Sequence, residues 1–333
     1  MKENKANKKQ TKISWFPIAM LGVIGILPVF MTSNYYQTVC CQAMLYAIVA
    51  LGLNFIVGLS GLMTLGTAAI YGMGAYTSAL ACTKFGLNPW LALVPVLIMG
   101  WLIGQGLGYP SLRVQGVYLS LATIGFNEIV RTLLTNLEWT GSGTGIRNIE
   151  PYRIGSFAFD TQVKSYYLIY IVLLIFIVIA WKIVHSRWGR AFIAVKDNPE
   201  ALQVCGIDIA HVKITAFTLS SVFAVVAGAM YAHFNRYITP ATYTTDLSIS
   251  FVVMLIIGGL GNFWGCIYGA YIVAFLPQLL RPIGLSYKLI YALIMMCLVV
   301  FFPNGLLRDT KKYLMRRKAM KGGVADENRA GSN

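Results

Sequence analysis

A carboxylate and a guanidinium three residues apart, Glu128 and Arg131, stand inside a long apolar run. That spacing puts both on one helix face, where they can pair. Ionisable groups in such a place mark either a pathway or a lock between helices. Two roles therefore stay open, a polar lining or gate beside Asn127, or an ion pair from which Arg131 reaches outward. Asn54, Thr64 and Thr67 form a second polar set, around Gly58, Gly61 and Gly66. Backbone groups freed at a glycine-broken turn must face protein or a wet cavity, so cargo could meet these side chains there. Ordinary hydrogen bonding between helices explains the same residues.

Other chemistry finds no support in the chain. A phosphate loop of the form G-x-x-x-x-G-K-S/T does not occur, and the glycine-rich stretches have no lysine to reach a phosphate. His185, His211 and His233 are scattered, without a paired metal-ligand spacing such as H-E-x-x-H. Of six cysteines, Cys40, Cys41, Cys82, Cys266 and Cys297 lie in or beside apolar runs, which suits buried thiols. The expectation is a protein with no catalytic site, no cofactor and no metal.

The elements that must hold these residues follow from composition. The 333 residues are 57% hydrophobic and only 12% charged, whereas soluble domains carry about a quarter charged residues; mean hydropathy is +0.65. Crossing a bilayer core takes about 20 helical residues, and apolar runs of that length recur from Trp15 almost to the C-terminus. The expected class is all-α, a polytopic transmembrane helical bundle of about ten spans. They fall near 15–32, 39–58, 62–83, 89–109, 116–136, 166–184, 211–235, 246–262, 264–281 and 285–302. The segments near 39–83 and 246–281 are broken by glycines and could include half-helices or a re-entrant turn.

The net charge of +15 gathers in the two tails, 1–14 and 303–333, and in a central island. That is the positive-inside pattern of a chain in a lipid bilayer rather than a nucleic-acid surface, and both termini are expected to be cytoplasmic. An uncleaved first helix follows the basic N-terminal tail. Six crossings return the chain to the inside at the island and four more return the C-terminus there, so parity and charge agree. Two polar stretches, 137–165 and 236–246, then lie outside. At about 1.5 Å per residue from Gly116, Glu128 sits roughly 18 Å into its span.

The island, Ser186 to Lys213, is longer than a connection needs to be. Arg190 to Val204 reads as a helix interrupted at Asn198-Pro199, with Asn198 as N-cap, proline at the first helical position and Gly206 as terminator. Such a partly apolar element suits docking into a partner's groove. It equally suits lying on an anionic leaflet, toward which Arg187, Arg190 and Lys196 would point. A short echo links Ile70–Tyr76 with Ile267–Tyr271, as an internal repeat or as small-residue packing.

Several short pieces, in their joint order and spacing, resemble the permease subunits of branched-chain amino acid ATP-binding-cassette (ABC) transporters, the LivM type. They are Ala50-Leu51-Gly52-Leu53-Asn54, Gly72–Tyr76, Arg113–Tyr118, Glu128–Arg131, Thr140-Gly141 with Gly145-Ile146, Gly258–Gly261 with Trp264-Gly265, and Pro303–Leu307. The resemblance covers about Tyr46 to Leu306. It implies that the island, 186–210, is a cytoplasmic coupling loop that docks on an ATPase subunit. Glu200-Ala201 and Gly206 match the core of the family's E-A-A motif, and Arg190 and Asn198 belong to the same element. It further implies a homologous second permease, ATP-binding-cassette subunits, an extracytoplasmic substrate-binding protein and a place in the cytoplasmic (inner) membrane. Thr64 and Thr67 depart from relatives that carry other polar residues, including His at the second position, which leaves the cargo open between branched-chain amino acids and urea or short-chain amides. A secondary transporter driven by an ion gradient, with Glu128 as its coupling carboxylate, is the reading from a different class.

Overall fold

The computed structural model describes residues 34–114, 116–154, 157–282 and 287–301, together with Gly22, Ile24 and Gly25. Apart from those three residues the first span, 15–32, lies outside this described set, as do both tails.

The described residues are mostly helical. In order, the helices are α1 (Asn34–Leu53), α2 (Thr67–Thr83), α3 (Leu93–Gly108), α4 (Pro110–Arg113), α5 (Val117–Asn136), α6 (Gln162–Val184), α7 (Arg187–Asp197), α8 (Pro199–Val204), α9 (Ile209–Asn235), α10 (Thr245–Gly258), α11 (Phe263–Leu280) and α12 (Tyr287–Phe301). Among the described residues, six of these helices are long and apolar enough to cross a bilayer, and α10 and α12 are shorter apolar helices. The expected boundaries agree with the helices to within a few residues for most spans. Differences of five residues fall at two starts: α1 begins at Asn34 rather than 39, and residues 60–66 are irregular, so α2 begins at Thr67 rather than 62.

Burial divides the bundle. Over its apolar 18-residue stretch the span through α1 is 89% buried inside the protein, against 28% for the corresponding stretches of the spans through α3, α5 and α6. The outward faces of those three are apolar, as on α3 at Val94, Ile98 and Trp101, and suit lipid or another subunit. At the centre, α9 packs along α2 and α3, and α1 packs on α6, α9 and α11. Lipid tails are as apolar as leucine, so close backbone approach must hold such helices together. At Gly228 of α9 a Cβ would lie 1.9 Å from the Tyr71 carbonyl oxygen of α2.

The end of the bundle opposite the island is closed by short pairings. β1 (Ile146–Arg147) runs antiparallel to β4 (Tyr237–Ile238), and β2 (Arg153–Ile154) to β3 (Phe157–Ala158). The two polar stretches expected outside are thus tied to each other. His233 anchors them, with one ring nitrogen 2.8 Å from Ser78 Oγ and the other 2.5 Å from the Glu150 carbonyl oxygen. Burial pushes the neighbouring Tyr152 phenol above its ordinary value.

Candidate functional site

The two glycine-broken segments meet. α1 leaves α-helical geometry at Asn54 and continues as a π-helical turn, Asn54–Leu59, the kind of bulge that frequently accompanies functional positions. Its wider hydrogen-bond spacing ends with Ser60 N–H and Oγ both donating to the Phe55 carbonyl, at 3.2 and 2.8 Å. From the other side, α10 stops at Gly258 and α11 begins at Phe263, with φ of +95° at Gly259 and +78° at Gly261. Asn54 Oδ1 accepts from Gly261 N–H at 3.1 Å. A Cβ on Gly58 would stand 1.9 Å from that Asn54 oxygen and 2.7 Å from Gly261 N, so only glycine lets the two breaks cross. Asn54 is 1% exposed and thus holds backbone to backbone rather than lining an open route.

A second polar cluster caps the start of α2. The first N–H groups of a helix have no partner inside it, and here neighbouring helices supply them. Leu65 N–H donates to Thr123 Oγ1 (2.9 Å), Ala68 N–H to Ser248 Oγ (2.9 Å) and Ala69 N–H to Asn127 Oδ1 (2.7 Å). Asn127 Nδ2 donates to Thr245 Oγ1 at 3.3 Å, and that hydroxyl donates to Glu128 Oε1 at 2.8 Å. Glu128 Oε2 then accepts from Arg131 through Nε at 2.9 Å, with a second guanidinium nitrogen at 2.7 Å. The pair is a fork on one helix face, as its spacing predicts. Asn127 is fully buried, whereas the side chains of Glu128 and Arg131 remain 42% and 40% exposed and face outward from the subunit.

Thr64 and Thr67, both buried, lie at the end of the irregular connection and the start of α2. Thr64 Oγ1 has no hydrogen-bond partner among the described residues. The structure therefore gathers Thr64, Thr67, Asn127, Glu128 and Arg131 around the head of α2, and places Asn54 apart, at the crossing. Sequence reasoning missed Thr123, Thr245 and Ser248, and named Gly261 as a run-breaking glycine without its partner. Thr245 with Ser248, and Thr123 with Asn127, stand three and four residues apart, a spacing that could have revealed the first three as one polar face.

The island is built as two helices. Ser186 caps α7 by accepting from Trp188 N–H at 3.1 Å, and Asn198 caps α8 by accepting from Ala201 N–H at 3.0 Å, with Pro199 following. The stop has Gly206 at φ +76°, Gly206 N–H donating to Gln203 O (2.9 Å) and Ile207 N–H to Leu202 O (3.2 Å). These are the two bonds of a Schellman motif. Phe192, Val195 and Leu202 are buried on the inner face. The Phe192 ring lies 6.3 Å from that of Phe55 in the π-helical turn, and Phe55 lies edge-on to Phe223 of α9 at 5.4 Å. Lys196, which composition could equally have aimed at a leaflet, turns inward and donates to the Gly58 carbonyl at 3.3 Å. On the outer face Arg190, Glu200, Ala201 and Gly206 are exposed, with Val204 at 90%.

Among the described residues, no group of three His, Cys, Asp or Glu could hold a metal ion. The thiols of Cys40, Cys41, Cys82 and Cys266 are free and buried, while Cys205 is exposed.

Comparison with known proteins gives one answer at the level of family. Residues 35–301 match the family described as "Branched-chain amino acid transport system / permease component". The chain is 31% identical to the high-affinity branched-chain amino acid transport system permease protein LivM of Escherichia coli, over 92% of this chain and 78% of that one. A probable LivM of Methanocaldococcus jannaschii is 23% identical over 66% of this chain and 68% of the relative. The Escherichia coli ribose import permease protein RbsC is 25% identical over 86% and 92%. No solved structure matches significantly. With a family match that runs from the start of α1 to the end of α12, the chain belongs to the permease components of branched-chain amino acid transport systems.

Proposed function

We propose that this chain is the membrane permease subunit of an ABC importer that carries leucine, isoleucine and valine inward, powered by ATP hydrolysed on partner subunits. Two ATP-binding-cassette subunits, a homologous second permease and an extracytoplasmic binding protein complete the machine in the cytoplasmic membrane. ATP hydrolysis is assigned to the partners because the sequence carries no phosphate loop of the form G-x-x-x-x-G-K-S/T. Ten spans put both termini and the 186–210 loop inside, with tails at 1–14 and 303–333, the permease domain at 15–302 and 137–165 outside.

One observation carries the mechanism. The inner face of the island rests on the π-helical turn through Phe192 against Phe55 and Lys196 on the Gly58 carbonyl. The outer face, with Glu200, Ala201 and Gly206, is free to meet an ATPase. Closure of the ATPases pushes α7 and α8, and the push arrives where α1 is least regular and crosses the α10–α11 break. A crossing joined by one side-chain hydrogen bond and glycine contacts is suited to two arrangements, and the partner supplies the differential binding energy that chooses between them. The half-exposed Glu128–Arg131 fork, at membrane depth and facing out of the subunit, lines the pathway shared with the second permease.

The LivM relatives favour branched-chain amino acids, and RbsC, named for ribose, indicates that the same framework serves other cargo. Urea or a short-chain amide is therefore the alternative. A gradient-driven carrier needs a carboxylate that exchanges partners, and Glu128 is held by Thr245 and Arg131 together. Reconstitution of the complex with its binding protein tests the reading. Leucine is expected to stimulate ATP hydrolysis, and stimulation by urea with none by any branched amino acid overturns the cargo assignment.

A further inference from the structure

The last residue of the island, Lys213, is 8% exposed, yet no hydrogen bond or carboxylate meets its ammonium among the described residues. Its stem is packed while the ammonium itself is not sealed from solvent, so it is free to meet an anionic group. Lys213 lines a cleft of about 560 Å³ beneath the island, within the usual range for small-molecule sites. Its walls come from four places in the chain. Ser60, Gly61 and Leu62 follow the π-helical turn, Leu112 and Gly116 flank the α4–α5 connection, Val195, Lys196, Pro199 and Gln203 belong to the island, and Asp208, Ile209, Ala210 and Lys213 stand at the start of α9.

The polar groups there are of both signs and differ in availability. Lys196 already donates to Gly58. Asp208 uses one carboxylate oxygen to cap Ala210 N–H at 2.9 Å, and no cation pairs with it among the described residues. A free cation and a carboxylate share a cleft with the apolar side chains of Leu62, Leu112, Val195 and Ile209. A phosphate would suit Lys213 but be repelled by Asp208. A small zwitterion with an aliphatic side chain satisfies all three features.

We propose that this cytoplasmic cleft binds a free aliphatic α-amino acid, its carboxylate on Lys213, its ammonium on Asp208 and its side chain on the apolar wall. The site is distinct from the Glu128–Arg131 fork, and its occupant rests on the import reading above. A bound amino acid bridges α9, the 60–62 connection and α7, favouring the arrangement in which the cleft is open. Accumulated product thereby slows the cycle.

The test uses the complete complex in nanodiscs, with binding protein already saturated by leucine. Raising leucine further, into the millimolar range, is expected to lower ATP hydrolysis. Lys213→Met, which keeps the aliphatic stem, should shift that inhibition at least about tenfold in concentration and leave stimulation at low leucine intact. Asp208→Asn still caps α9 and should weaken binding of radiolabelled leucine while leaving 4-methylpentanoate, which lacks the ammonium, unaffected. Inhibition unchanged in Lys213→Met, or inorganic phosphate displacing leucine equally well from both proteins, overturns the site. So does loss of the ATPase subunits from Lys213→Met, which would make the lysine an interface residue. If leucine never stimulates hydrolysis, the import reading fails alone. Leucine binding to the permease–ATPase complex without binding protein, present in the wild type and lost in Lys213→Met, then still supports the cleft, and its absence from the wild type overturns it.

Discussion

Two polar places inside the bundle are built in opposite ways. At the head of α2, side chains from α5 and α10 take up three backbone N–H groups and continue through Thr245 to the Glu128–Arg131 fork. At the crossing of Gly58 and Gly261, one asparagine joins two irregular turns, and the island touches the first of them through a ring and a lysine. The buried part of the first place is a lock, because removing Ser248 or Asn127 leaves a buried backbone amide unpaired. The second is a joint, because little besides glycine geometry holds it. Polar residues at membrane depth thus do not form one class, and their partners decide which are structural.

Substitutions should separate the two by different readouts. The largest effect is expected at Gly58→Val, whose side chain collides with Asn54 and the Gly261 backbone. Uptake should be lost, and overpacking of about 1–3 kcal/mol or more should appear as a lower melting point in detergent. Next comes Asn127→Leu, which strands the Ala69 N–H at a cost of about 1–3 kcal/mol and should reduce membrane abundance and uptake in proportion. Normal abundance with lost uptake would move Asn127 from the lock to the pathway. Lys196→Met removes one hydrogen bond, worth about 0.5–1.5 kcal/mol, and should lower leucine moved per ATP several-fold with abundance preserved. The smallest effect on stability belongs to Glu128→Gln, since its half-exposed pair contributes about 0–1 kcal/mol. Abundance should hold while flux falls, and a matching loss of abundance would return the fork to the lock.

Much of this was legible in the residues. Asn198-Pro199 and Gly206 mark the joint and the stop of α8 because caps are local, and the i, i+3 spacing of Glu128 and Arg131 sets their pairing. Apolar run length located the helices for the same reason. The echo between Ile70–Tyr76 and Ile267–Tyr271 falls near the starts of α2 and α11, the two helices that follow the broken turns. What stayed hidden is long-range. Asn54 and Gly261 are 207 residues apart, and Asn127 finds Ala69 across 58, so neither partner could be named from a window of sequence. The π-helical turn was hidden for another reason, since one extra residue per turn leaves no mark in a run as apolar as Phe55-Ile56-Val57. Lys196 was ambiguous because its charge suits a leaflet as well as a carbonyl, and the carbonyl it meets, that of Gly58, is 138 residues away.

The central claim is that the island drives transport by bearing on the π-helical turn. Conservative variants Phe55→Leu, Phe192→Leu and the pair, in the reconstituted complex, test it through leucine transported per ATP hydrolysed. The account predicts that each single variant lowers this ratio and that the double variant is no worse than either, because both break one contact. Equal ratios in all four proteins, or losses in the double variant that multiply those of the singles, would contradict it.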